Sequence, residues 1–213
     1  NGENADELIG AALCNAEDDI ILVSKLGMSL KFQANDEQLR PMGRQTAGVQ
    51  GMKFREGDEL LDMDVVWGDS DKDLFVVTNE GFAKRTAISE YRLQGRNGFG
   101  VKAVQLAEGR GSLVGAVIVE EDDQIMAIMK SGKVIRSNVD EVKRTGRTTQ
   151  GVTFAKPDKN DEIISIARNE EKDDDESAEN ATVNEDTAQS SESAVEAPAE
   201  TNAESGDGEN VEA

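Results

Sequence analysis

An all-β, propeller-like fold of four-stranded units is predicted by three features of the sequence. The segment Gly-Arg-x-x-x-Gly-Val occurs three times, at residues 43–49, 95–101 and 146–152, with leading glycines 52 and 51 positions apart. Self-similarity at a fixed period marks a chain built from copies of one supersecondary unit. Each copy follows a pair of short runs rich in β-formers, and no stretch carries a helical apolar period. Four short strands per period of this length fit blades arranged about an axis.

Each element of the unit follows from local chemistry. Residues 20–23 and 28–32 flank Ser24-Lys25-Leu26-Gly27, a spacing that suits a type I turn closed by a glycine in the left-handed region. The same device recurs as 74–77, Thr78-Asn79-Glu80-Gly81 and 82–85, and again as 125–128, Met129-Lys130-Ser131-Gly132 and 133–136. A polar connection leads to the Gly-Arg segment, then a third strand such as 50–54 or 102–106, a turn, and a closing apolar strand. The units expected on this basis are blades at about 18–66, 71–119 and 121–168 within a domain spanning 1–168. Residues 1–16 match the end of each later unit, with Leu8-Ile9 as the closing strand of a preceding blade. If the final strand of one unit passes directly into the next, neighbours complete one another and no sheet edge is left open. Three units and a remnant, with Asn1 in place of an initiating methionine, lead us to expect the C-terminal piece of a longer polypeptide.

Charge separates the chain into two parts. The net formal charge is −21 overall, of which residues 1–168 carry −6 and residues 169–213 carry −15. The second part is rich in Ala, Ser, Glu and Asn and has no aromatic residue, so it cannot bury enough apolar surface to offset the entropy of ordering it. A disordered acidic tail is expected there, with a span of roughly 35–40 Å, long enough to reach the body and compete for its cationic surface.

Several functional classes are excluded or disfavoured. The chain has no histidine, which removes imidazole-based acid–base catalysis and imidazole metal ligation. The single cysteine, Cys14, forms no internal disulfide, fits a reducing compartment and reads as a small buried apolar residue. No apolar run approaches the roughly 20 residues of a membrane span, and no signal peptide or phosphate-binding P-loop motif is present. Tyr91 reads as a packing aromatic and not a nucleophile, and Phe54 and Phe154 as core or blade-contact residues. No catalytic residue, metal ligand or cofactor is assigned to this segment.

Cations recur at the repeat period. Four positions beyond each hairpin glycine stand Lys31, Arg85 and Arg136; further along come Arg40, Arg92 and Lys143; the Gly-Arg segments supply Arg44, Arg96 and Arg147. In a radial arrangement corresponding positions fall on one rim, so nine cations are expected along a curved track suited to the backbone of a bent duplex. Screening within about 8–10 Å lets a phosphate respond to this rim in spite of the net negative charge. Surface Lys and Arg also serve as solubilising edge charges, and the recurring glycines Gly43, Gly48, Gly95, Gly100, Gly146 and Gly151 satisfy turn geometry as readily as phosphate contact.

With these motifs in hand, the repeats resemble those of the C-terminal domain of the DNA gyrase A subunit, a family of type IIA topoisomerase domains. The resemblance implies a β-pinwheel that wraps double-stranded DNA around a basic rim. Gln94-Gly95-Arg96-Asn97-Gly98-Phe99-Gly100 keeps Gln94, Arg96, Gly98 and Gly100 of the family's wrapping motif Gln-Arg-Arg-Gly-Gly-Arg-Gly and lacks its second and sixth cations, so it resembles a degenerate copy. The resemblance further implies a bacterial, cytoplasmic, nucleoid-associated parent isomerase. Its partners would be the rest of the gyrase A protein and an ATP-binding B subunit, with ATP and Mg²⁺ used outside this segment. Tyr91 does not inherit the DNA-cleaving role, because the family's cleaving tyrosine lies in another region. Two alternatives remain open at this stage: the related domain of topoisomerase IV, and a propeller that serves only as a protein-interaction module.

Overall fold

The computed structural model describes residues 7–68 and 71–169. Eleven β-strands lie among them: β1 (Asp19–Ser24), β2 (Met28–Gln33), β3 (Leu60–Val66), β4 (Asp73–Thr78), β5 (Phe82–Ala87), β6 (Val101–Lys102), β7 (Leu113–Val119), β8 (Gln124–Met129), β9 (Val134–Asn138), β10 (Val152–Thr153) and β11 (Ile163–Asn169). They form three antiparallel sheets with strand orders β3-β1-β2-β6, β10-β5-β4-β7 and β11-β8-β9. The expected all-β architecture of repeated blades is present. Two short 3₁₀ turns, Ile88–Glu90 and Val139–Glu141, follow the second and third hairpins.

The hairpin turns follow the anticipated geometry. The amides of Gly27, Gly81 and Gly132 donate to the carbonyls of Ser24, Thr78 and Met129 at 3.0, 3.0 and 2.9 Å. All three glycines have φ between +82° and +86°, a conformation that charges any side chain a steric penalty.

Strand exchange differs from the expected plan. The closing strands β3, β7 and β11 stay within their own sheets; it is the short strand after the Gly-Arg segment that leaves its unit. β6 pairs with β2 of the first unit and β10 with β5 of the second. Each of the first two sheets is therefore three strands of one repeat plus a two-residue strand from the next. The equivalent segment of the first repeat, expected as a strand over 50–54, makes only a bridge between Met52 and Gly98. Among the described residues no strand pairs with the outer edge of β9.

Apolar alternation positions the sheets face to face. On β1, Ile21 and Val23 join Leu74, Val76, Tyr91, Val104, Leu113 and Ile118 in the core between the first two sheets. Phe75 and Val77, on the other face of β4, join Ile125, Ala127, Met129 and Ile163 between the second and third. Both faces of the central hairpin are covered, so every residue of β4 is buried, whereas β8 alternates buried with half-buried. Ile20, Leu22, Leu30, Phe32 and Met52 form a third cluster on the remaining face of the first sheet. Inner edges meet as well: β3 contacts β7 and β7 contacts β11, and the carboxylates of Asp62 and Asp64 accept the amides of Ala116 and Ile118. Closing strands thus lie on the inner side of each sheet, and the Gly-Arg segments on the opposite, outer edge.

Some expectations fail locally. Residues 7–15 form no strand, and Leu8 and Leu13 are exposed. Cys14 lies in this stretch and is exposed and not buried, because no sheet covers it. Phe154 packs edge-on against Phe75, with ring centroids 5.5 Å apart, but Phe54 is exposed, since no neighbouring sheet receives its segment. The acidic tail expected over 169–213 lies outside the described residues except for Asn169, which ends β11 opposite Gln124.

The exchange requires close backbone approach at the second motif glycine. At Gly100, φ is +72° and an added Cβ would lie 2.1 Å from the carbonyl oxygen of Ser29; at Gly151, φ is +80° and the Ala83 oxygen would lie at 2.5 Å. Gly95 has open space around it. Chemical denaturation of Gly100→Ala should therefore show a loss of more than about 2 kcal/mol, from left-handed strain plus displacement of β6, with Gly95→Ala within about 1 kcal/mol of the parent.

Candidate nucleic-acid interface

The nine cations form three structurally different sets. Lys31 and Arg85 do not reach the rim. Each is on the outer hairpin strand with its side chain turned into the inter-sheet space, where an acid at the start of the neighbouring strand neutralises it. Lys31 Nζ is 3.5 Å from Asp19 Oδ2, and Arg85 Nε is 3.3 Å from Asp73 Oδ2. Arg85 also lies 3.4 Å from Glu121. Uncompensated burial of such charges would be prohibitive, which explains the acidic partner. In the third repeat Gln124 replaces the acid, and Arg136, which is exposed, donates to its Oε1 at 2.6 Å. The hairpin set is a structural pairing repeated at the blade period.

Asp73 also receives Arg144, whose Nε lies 2.9 Å from its Oδ1, while Arg144 Nη1 is 3.0 Å from Asp71. Burial raises the Asp73 carboxyl above its ordinary range, and the two guanidiniums oppose that shift. Arg144, adjacent to Lys143, is thereby fixed to the sheet.

The motif arginines join neighbouring repeats. Arg96 Nη1 donates to the carbonyl of Gln50 at 2.8 Å, and Arg147 Nη1 to that of Lys102 at 3.0 Å. Gln50 and Lys102 both stand two residues past the second motif glycine of the preceding repeat. The main-chain amides of Arg96 and Arg147 donate to Gln38 Oε1 and Glu90 Oε2 at 3.0 and 3.1 Å, again corresponding positions. Within the second motif, the Gln94 amide donates to the Lys31 carbonyl at 2.8 Å, and Gly98 and Gly100 lie against Leu30 and Ser29. Gly95 touches nothing that a side chain would meet. The degenerate motif is thus packed on the preceding sheet through Gln94, Arg96, Gly98 and Gly100.

The third set is exposed. Arg40, Arg44, Arg92 and Lys143 are solvent-accessible and make no ion pair with the described residues. Leu93 bridges Lys31 on β2, and Arg144 bridges Arg85 on β5, so the neighbouring Arg92 and Lys143 stand at equivalent places on the outer edges of two successive sheets. Further exposed cations flank the motif loops, namely Lys53, Arg55 and Lys102. Arg55, Lys102 and Arg147 line a groove of about 540 Å³ beside Gly100 and Val101. Lys53, Arg55 and Lys102 were not singled out by periodicity, because they do not recur at matching positions in all three repeats.

Lys84 is the other residue that repeat comparison passes over. It occupies the slot filled by Leu30 and Ile135 in the other repeats, and it is buried. A cation in an apolar slot is the sequence signal. Its Nζ donates to the carbonyls of Ala103, at 2.5 Å, and Arg147, so it ties the third motif loop to the second sheet. Desolvation lowers its pKa to about 8, with Glu90 opposing the shift and Arg147 adding to it. Tyr91 is buried in the inter-sheet core, and burial pushes its phenol well above the ordinary range, as suits a packing residue. Among the described residues no group of His, Cys, Asp and Glu has the arrangement of a metal site.

The profile of a family described as "DNA gyrase C-terminal domain, beta-propeller" matches residues 18–66, 72–120 and 123–170. The chain belongs to this family. Among curated relatives, it is similar to the DNA gyrase A subunit of Streptomyces coelicolor, 55% identical over 166 residues, covering 78% of this chain and 19% of that protein. The DNA gyrase A subunit of Mycolicibacterium smegmatis is 50% identical over 193 residues, covering 90% and 22%. The chain thus spans about a fifth of the length of these relatives. The fold is shared with solved structures. The C-terminal domain of DNA topoisomerase IV superposes with a TM-score of 0.72 at 22% identity, covering 79% of this chain and 51% of that one. The DNA gyrase A C-terminal domain superposes with a TM-score of 0.65 at 29% identity, covering 71% and 50%.

The titration of Lys84 makes a signed prediction. Its folded pKa is about 8, and the ordinary value is 10.5. Below the folded value the ammonium is protonated in both states and its burial disfavours folding; between the two values the unfolded chain binds more protons, so stability rises with pH. The stability of the parent relative to Lys84→Met should increase from pH 7.5 to 10, by at most about 3 kcal/mol. Urea titrations at both pH values check this, and a pH-independent difference would contradict it.

Proposed function

We propose that this chain is a DNA-binding and DNA-wrapping segment of the DNA gyrase A subunit, bending duplex DNA along the outer edges of its sheets. The observation that carries the reading is the segregation of charge at corresponding places: Arg92 and Lys143 are exposed on successive outer edges and make no ion pair with the described residues, with Arg40 and Arg44 in the equivalent loop of the first repeat. Phosphate contacts need charge and spacing and no base-reading groups. Lys31 and Arg85 are withdrawn from the set by burial, and Arg96 and Arg147 position the loops. The names of the curated relatives favour gyrase over topoisomerase IV, whose domain shares the fold at lower sequence identity.

On this reading the parent is an ATP-dependent bacterial type II topoisomerase that introduces negative supercoils in the cytoplasm, associated with the nucleoid. It would assemble with an ATP-binding B subunit, and ATP and Mg²⁺ would act elsewhere in that assembly. The acidic residues 170–213 would compete with DNA for the rim. Among the described residues no helix is long and apolar enough to cross a membrane.

Fluorescence anisotropy on duplex DNA tests the assignment. The exposed cations Arg40, Arg44, Arg92 and Lys143 contribute roughly −4 to the slope of log affinity against log salt, against roughly −8 for all nine, and any further phosphate contact adds about −1. Replacing Arg92 and Lys143 by Gln should reduce the slope by about 2, whereas Arg85→Gln should lower stability and leave the slope of the folded fraction unchanged. Absence of binding at low salt, with residues 170–213 removed, refutes the proposal. Supercoiling by the reconstituted parent separates wrapping from the topoisomerase IV alternative.

A further inference from the structure

Phe99 is the one aromatic residue in the three Gly-Arg segments; Ala47 and Gln150 take its place in the others. Its exposure follows from its neighbours. An added Cβ at Gly98 would meet Leu30 at 3.3 Å, and one at Gly100 would meet the Ser29 carbonyl, so the residues on both sides press their backbone onto the first sheet. The ring between them is left 47% exposed. The loop beneath it is held by several bonds. Asn97 donates its amide to Gly51 at 2.6 Å, Lys53 donates to Gly98 at 2.7 Å, and Arg96 is bonded to Gln50 and Gln38. The rigid loop therefore holds an apolar ring at the outer edge, where covering it would remove apolar surface from water.

The surroundings indicate what covers it. The Arg55 guanidinium lies 5.8 Å from the ring centroid. Arg55 also borders the adjoining groove of about 540 Å³, together with Lys102 and Arg147. An apolar ring with cations on one side matches the needs of a deformed base-pair step and its flanking phosphates. A protein partner of acidic character would satisfy the cations, but it would not call for a ring fixed at the outer edge where the duplex track is placed.

We propose that Phe99 is an apolar wedge that enters a base-pair step of the bound duplex while Arg55 and Lys102 at the groove hold the flanking phosphates, making the junction of the first two blades a site of localised DNA kinking. This rests on the DNA-binding reading above and extends it. The wedge unstacks one step, and the bend it allows brings more backbone onto neighbouring outer edges. The site distinguishes duplexes by deformability, with pyrimidine–purine steps preferred at the wedge.

The test uses the full 213-residue chain and duplexes of about 30 base pairs carrying a fluorophore pair at the ends or 2-aminopurine at one internal position. Parent protein should raise 2-aminopurine fluorescence at a narrow range of positions and increase end-to-end energy transfer. Phe99→Trp should retain both signals. Phe99→Ala, at an exposed position, should fold normally by circular dichroism, lose at least half of the energy-transfer change and most of the 2-aminopurine signal, and keep the salt slope of the parent. Arg55→Ala and Lys102→Ala should each lower that slope by about 1. If parent and Phe99→Ala bend and unstack DNA equally, the wedge is refuted while DNA binding stands, and a ring serving a protein contact gives this same result. If the chain binds no duplex at low salt even with residues 170–213 removed, both the wedge and the functional assignment fall.

Discussion

The donation of one short strand from the second repeat, and again from the third, to the sheet before it is the constraint on which the rest of this structure depends. β6 and β10 are two residues long and contribute little alone, yet they carry whole loops onto the outer edge of the preceding sheet. A motif arginine, the close approach of the second motif glycine and a main-chain amide then fasten each loop. The same contacts recur at corresponding positions in two consecutive junctions, so they belong to the architecture and not to chance packing. Radial order follows: closing strands that touch one another occupy the inner side, and donated loops the outer.

Charge is sorted by the same geometry. A cation on a hairpin strand whose faces are both covered cannot reach solvent, and it is kept only with a partner: an acid at the start of the adjacent strand for Lys31 and Arg85, main-chain carbonyls for Lys84. A cation three residues before the motif glycine stands beyond the sheet edge and needs no partner, as at Arg92 and Lys143. Two sets of cations with the same periodicity therefore have opposite roles. The difference is set by which side of the donated loop they occupy.

Much of this fold was legible in the sequence, because period-two apolar runs and turn glycines are local signals. The hairpins at Gly27, Gly81 and Gly132 fall where turn chemistry puts them. What could not be read was which partner each strand finds. The segment after Gly100 has the same composition whether it pairs within its own repeat or with the one before, and only close approach to Ser29 distinguishes the two. The candidate site was legible as a set of recurring cations but not as three sets, since burial of Lys31 and Arg85 depends on a neighbouring sheet that periodicity does not reveal. Lys84 left a trace, a lysine aligned with Leu30 and Ile135, because a cation in an apolar slot departs from the repeat.

The position of Arg96 and Arg147 bears on how such a surface would bend DNA in the proposed role. Each guanidinium is already bonded to a carbonyl of the preceding repeat, and the Nε of Arg96 is buried without a partner. Turning either side chain outward to a phosphate would leave that carbonyl unpaired, at a cost of about 1–3 kcal/mol, comparable to the gain from one charge-assisted contact. Smooth bending of a 20–30 base-pair segment costs about 1–6 kcal/mol, which no single contact offsets. Arginines that stay on the carbonyls serve the duplex better, because they fix the angle between successive blades before DNA arrives. On the proposed reading the exposed cations would meet phosphates along a path whose curvature is already built, and the energy of bending would be set against contacts that require no reordering of the protein.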